Sequence, residues 1–158
     1  MNIFFLDADT QKSAQYHCDK HVVKMILEYA QIMSTVQYLQ GVKNSVLYKP
    51  THAHHPAVLW ASKSVANYQY LYNLWLALCQ EYTKRYGKQH ATYTKLRDAL
   101  KVQSIDTAIT IPPSIMDNLA INEPKTLGDV VSNYRHLYLT EKRGIVKYAH
   151  GETPAWFC

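Results

Sequence analysis

His21, Lys24 and Glu28 stand at spacings that place ionisable groups along one line of a helix. With His17 and Gln31 they fall at i, i+4, i+7, i+11 and i+14, which share a face at 3.6 residues per turn. Histidine and lysine are reagents for proton transfer and anion binding. A carboxylate among cations stays ionised, and an ionised Glu28 can stabilise positive charge developing on a sugar. The competing reading is an ordinary solvent face with Lys24 and Glu28 as a surface pair. Against it, Val22, Val23, Met25, Ile26, Leu27, Ala30, Ile32 and Met33 cover most of the remaining circumference. Such a helix is expected to be mostly buried, with its polar line facing a cleft, a ligand or a buried network.

A second cluster is Lys49-Pro50-Thr51-His52-Ala53-His54-His55-Pro56, three histidines in four residues ahead of a helix. Three readings compete. Lys49, Thr51, His52 and His55 could contact a phosphate or substrate at the helix start. Thr51 or His55 could simply cap the helix. The histidines could also bind a metal with His17 and His21. However, Asp19 lies on a different helix face from that pair, and no HExxH stretch is present. No metal and no cofactor is expected.

These groups must be positioned by helices. The spacing predicts one long helix over 10–40, capped by Asp9 or Thr10 and ended by Gly41. Pro56 suits the first turn of the next helix. Val65, Tyr68, Leu71, Tyr72, Trp75, Leu78, Cys79 and Tyr82 recur at helical spacing over 64–86, and Gly87 stops them. A shorter helix is expected over 91–102. Pro112, Pro113 and Pro124 mark 104–125 as an irregular connection. A last helical region is expected over 127–149, with a possible break near Gly144. The expected fold is all-α: a compact single-domain bundle, 1–158, of about four to six helices. Its N-terminal residues, Met1 to Leu6, form a short extended arm. The aromatic tail Thr153-Pro154-Ala155-Trp156-Phe157 is expected to dock on the body.

With 47% hydrophobic residues, the 158-residue chain can build a core. The apolar start lacks a basic leader and breaks at once into Asp7 and Asp9, unlike a signal peptide. No apolar run approaches the ~20 residues of a membrane span. Cys18, Cys79 and Cys158 are odd in number and far apart, so no disulfide framework is expected and a reducing cytoplasm is. A net charge of +5 with thirteen tyrosines and three tryptophans favours a polyanionic partner that also stacks, such as DNA, although tyrosine also fills small helical cores. Asn67 and Tyr68 could face the polar line, although the place of Tyr68 in the apolar repeat favours the core. Arg135 could reach a phosphate or lie on a solvated face.

Order and spacing across much of the chain resemble the phage-type pyrimidine-dimer DNA glycosylases of the endonuclease V kind. The carriers are an extended start, then His21 and Glu28 seven residues apart. A basic loop with a His55-Pro56 step follows, then the helix end Glu81-Tyr82-Thr83-Lys84-Arg85-Tyr86-Gly87, and the tail Pro154-Ala155-Trp156-Phe157. The resemblance implies an all-α, basic enzyme that excises a damaged pyrimidine and then cuts the backbone by β-elimination, in host cytoplasm if phage-encoded. It implies Glu28 as the catalytic glutamate, His21 as the active-site histidine, and the N-terminal α-amine as the nucleophile that forms a Schiff base at the sugar C1′. Trp60, Tyr68 and Trp156 could hold an opened duplex. The sequence departs from the family's pattern in two places. Leu27 and Gln31 stand where the family has arginines, with Lys20 and Lys24 nearby as other cations. Asn2 stands where a small residue is exposed after methionine removal, so either Met1 supplies its own amine or the Schiff-base step is absent. Two alternatives remain open. One is a metal-dependent nucleotide phosphohydrolase using His17, Asp19, His21, His52, His54 and His55. The other is a non-catalytic DNA-binding module with a basic surface of Lys84, Arg85, Lys88, Lys95, Arg97, Lys142, Arg143 and Lys147. Oligomeric state is not legible.

Overall fold

The computed structural model describes residues 2–158 except 103 and 116. Asp9 accepts a hydrogen bond from Lys12 N at 3.0 Å and opens α1, Thr10–Tyr16. The next helix, α2, is Asp19–Leu39, and the chain leaves it through Gly41 at φ +85°, a conformation glycine adopts freely. Pro56 occupies the first turn of α3, Pro56–Lys63, which His55 caps by accepting from Ala57 N at 3.0 Å. Ser64 caps α4, Val65–Tyr86, which ends at a left-handed Gly87. Then come α5, Ala91–Leu100, and α6, Leu127–Leu139, the latter opened by a Thr126–Asp129 capping box. Six helices and no strand occur among the described residues, so the fold is all-α.

Two expected elements are corrected. The helix predicted over 10–40 is broken at His17 and Cys18, whose ψ angles of 130° and 162° are extended. A break leaves helix-end carbonyls and N–H groups without local partners. Here tertiary partners supply them. Arg85 donates to Gln15 O and His17 O, each at 2.9 Å, and the Tyr148 hydroxyl donates to Tyr16 O. Cys18 N donates to the Tyr138 hydroxyl at 3.3 Å, and Asp19 N to Lys147 O at 2.9 Å. The helix predicted over 127–149 stops at Leu139. Thr140 leaves helical geometry, with φ −116° and ψ −92°, and its hydroxyl donates back to His136 O. The freed segment returns to pack beside the start of α2.

The two long helices α2 and α4 pack on each other, and α4 also carries α1, α3 and α5. Trp75 on α4 is fully buried and donates from Nε1 to Ile26 O on α2 at 3.0 Å. The arm enters the core: Ile3, Phe4, Phe5 and Leu6 are all buried. Tyr134 and Tyr138 of α6 close over it, with ring centroids 5.7 and 5.9 Å from Phe4. The tail docks as expected, Trp156 lying edge-on to Tyr16 at 5.7 Å. Cys18 and Cys79 are free and buried, and Cys158 is free and exposed.

Candidate active site

The extended arm is clamped at Phe4 from both sides. Phe4 N donates to the Tyr29 hydroxyl at 3.0 Å, and Ser13 Oγ donates to Phe4 O at 3.2 Å. His17 closes the loop, its Nδ1 donating to Ser13 O at 2.7 Å and its Nε2 lying 2.8 Å from the Tyr29 hydroxyl. Burial lowers the pKa of His17 to about 4, so the ring is neutral at pH 7 and Nε2 accepts the Tyr29 proton. Each group in this buried ring is thereby satisfied. It fixes the path of the chain's start relative to α2, because Tyr29 is the residue after Glu28.

His21 is buried too, at 4% exposure, with Nδ1 2.6 Å from the Tyr138 hydroxyl and its ring stacked on Phe4 at 4.3 Å. Burial first, then the charges of His17, Lys142, Lys24 and Lys20, lower its pKa to about 3. Both histidines fold neutral but would titrate near 6.5 in the unfolded chain. Below that pH the unfolded state binds more protons, so stability is present above about 6.5 and is lost as pH falls toward 4 and then 3. Shifts of this size correspond to on the order of 3 kcal/mol for His17 and 5 kcal/mol for His21. Thermal melts should show the midpoint falling between pH 6.5 and 4, with part of that slope removed in His21→Gln. An unchanged slope in that variant would contradict the assignment.

The polar line is corrected accordingly. His17 lies beyond the helix break and inside the core, and His21 is enclosed. Only Lys24, Glu28 and Gln31 reach the surface, with side-chain exposures of 63% for Lys24 and 16% for Glu28. Lys24 Nζ lies 3.6 Å from Glu28 Oε2. Val23 and Leu27, expected on the apolar side, share this outer face at 42% and 39% exposure. The signal for them was present in the sequence, since both sit at i and i+4 between Lys20, Lys24 and Glu28.

The His-rich loop is tied to α2 one turn past Gln31. Thr51 N donates to Thr35 Oγ1 at 3.1 Å. His52 is held at φ 51°, a left-handed conformation that costs a non-glycine residue about 1 kcal/mol, with Nδ1 2.8 Å from Thr51 Oγ1. Lys49, His52 and His54 are exposed. His55 caps α3, and burial lowers its pKa.

The remaining candidates are placed elsewhere. Trp60 is buried and donates to Thr110 O at 3.0 Å. Asn67 donates to Trp60 O and Thr110 Oγ1, pinning the irregular connection. Tyr68 is core: its hydroxyl donates to Leu100 O at 2.6 Å, and burial pushes its pKa up to about 12. Arg135 donates to Leu6 O and Asp7 Oδ2 and lies over the Tyr16 and Trp156 rings, so it fastens arm to tail. Arg85, placed in sequence on a basic surface, is instead buried. Met1, the expected source of the amine, lies outside the described residues.

A sequence model described as pyrimidine dimer DNA glycosylase matches residues 1–94. The chain belongs to that family. The match takes in α1 to α4 and the start of α5, with Glu28, Lys24, His21 and the His-rich loop inside it. The pyrimidine dimer DNA glycosylase family is one of enzymes that act on DNA, which agrees with the charge and aromatic content of the chain. No curated protein and no solved structure matches it. The ligand set of the metal alternative is not brought together: no group of three or more His, Cys, Asp or Glu able to hold a metal occurs among the described residues. Among those residues no helix is long and apolar enough to cross a membrane.

Proposed function

We propose that this family member excises pyrimidine dimers from DNA with Glu28 as its catalytic carboxylate. Lys24, whose ammonium lies 3.6 Å from that carboxylate, pairs with it and meets a neighbouring phosphate. The observation that carries this reading is a carboxylate only 16% exposed on the outer face of α2, within the stretch that the family shares. As the C1′–N bond of the damaged nucleotide breaks, its electron pair leaves with the base, which takes up a proton, and positive charge grows on the sugar. A fixed carboxylate in a partly desolvated setting stabilises that charge where it develops. His21 is a positioning residue in this reading, since it is enclosed and stacked on the arm.

The N-terminal amine is the nucleophile of a following lyase step. Its lone pair forms the C1′–N bond and it loses a proton. Opening of the C1′–O4′ bond gives the iminium. Loss of a C2′ proton then expels the 3′ phosphate by β-elimination. The Phe4 clamp serves this step by fixing the path of the arm beside α2.

The test is incubation of the purified protein with duplex DNA containing cyclobutane dimers, with and without borohydride. The cut base stays tethered to its partner through the cyclobutane ring, so base freed by photoreversal of the dimer, strand cleavage and a trapped protein–DNA adduct are the expected results. An added N-terminal Gly-Ser extension should abolish trapping. Base release without an adduct would remove the lyase step alone. No base freed even after photoreversal would overturn the excision reading.

A further inference from the structure

The segment after α6 is laid along the outer face of α2 and fastened there. Asp19 N donates to Lys147 O at 2.9 Å, His150 N donates to Asp19 Oδ2 at 3.2 Å, and the His150 ring lies 5.0 Å from Tyr86. Between segment and helix runs an open trough of about 550 Å³. Its floor is apolar, made by Val23, Ile145, Ala149 and the Tyr86 ring, and its lip carries Lys20, Lys24 and Lys147. Val23 and Ile145 are 42% and 38% exposed there. The acidic group at the trough, Asp19, is already paired with Arg85 at 3.2 Å.

A cationic lip over an apolar floor matches a polymer whose charges lie along one edge and whose rings lie below it. We propose that this trough seats the sugar–phosphate strand of DNA running on from the Glu28 site. Phosphates meet the lysines, and the sugar and base faces pack on Val23, Ile145 and Tyr86. Lys24 belongs to both places. From Glu28 to Lys20 the helix rises roughly 12 Å, which spans about three to four nucleotides at 3.4 Å per step. Four of the nine residues lining the trough, Ile145, Lys147, Ala149 and His150, lie beyond the matched stretch of 1–94, so family membership does not imply it. The assignment rests on the Glu28 reading for the direction of the strand.

The test is binding of a fluorescent undamaged duplex to the full chain across 50–200 mM salt. Each lysine–phosphate contact contributes a slope of about −0.9 in log K against log salt. Lys20→Ala with Lys147→Ala should make the slope shallower by about 2 and weaken binding by roughly tenfold per lysine at 0.1 M salt. Lys43→Ala with Lys63→Ala, elsewhere on the surface, should change neither. Val23→Asp should weaken binding without altering the melt. Excision by the Lys20/Lys147 variant at sub-saturating enzyme should fall in step with its loss of affinity. An unchanged slope and affinity in that variant would overturn the trough while leaving Glu28 catalysis standing. Lysine-dependent binding without dimer excision would remove the Glu28 reading and keep the trough. Tighter lysine-dependent binding of poly-glutamate than of DNA would assign the trough to an acidic polypeptide and overturn the proposal.

Discussion

Glu28→Gln is expected to leave a folded protein that excises dimers at least about a thousandfold more slowly. The substitution keeps shape and removes one charge. A thousandfold loss is about 4 kcal/mol of transition-state stabilisation, the scale on which a preorganised charge acts in a partly desolvated site. The folded state loses far less. An i,i+4 ion pair whose lysine is 63% exposed contributes at most a few tenths of a kcal/mol. Base freed by photoreversal after single-turnover reaction, and thermal melts, separate the two effects. Retention of more than a tenth of wild-type rate would remove Glu28 from the chemistry. A melt lowered by many degrees would show a structural part instead.

Arg85→Met should produce the largest loss of stability of any single substitution described, about 3–5 kcal/mol. The guanidinium is only 1% exposed. It holds Glu81 at 2.9 Å, Asp19 at 3.2 Å, and the carbonyls of Gln15 and His17. Methionine fills similar volume but leaves two carboxylates without their cation and two helix-end carbonyls without a donor. The packing around the group is close, since a Cβ built on Gly151 would lie 2.6 Å from the Arg85 guanidinium carbon. At about 2–4 °C per kcal/mol for a chain of this size, the melting midpoint should fall by roughly 10 °C. A fall of under 2 °C would mean that the break between α1 and α2 is held by other contacts.

That break shows where local reading stops. Nothing in Gln15-Tyr16-His17-Cys18 forbids a helix, and no proline or glycine marks the site. Arg85, Tyr138, Tyr148 and Lys147 mark it, and they come from 66 or more residues away. Two consequences follow. His17 drops from the polar line into the core, and His21 becomes an enclosed, neutral ring beneath Phe4 rather than a surface acid. Similarly, Val23 and Leu27 are apolar by type, yet their places on the open face of α2 depend on which side α4 covers.

The helix caps were legible because they are local chemistry. Asp9, Gly41, Pro56 and Gly87 punctuate the chain where their backbone preferences require, whatever packs around them. The all-α class and the adjacency of Lys24 and Glu28 follow from periodicity in the same way. What only the tertiary structure decided is which ionisable groups meet water. Burial of His17 and His21, and the pairing of Arg85 with distant carbonyls, depend on contacts between segments that the order of residues does not place side by side.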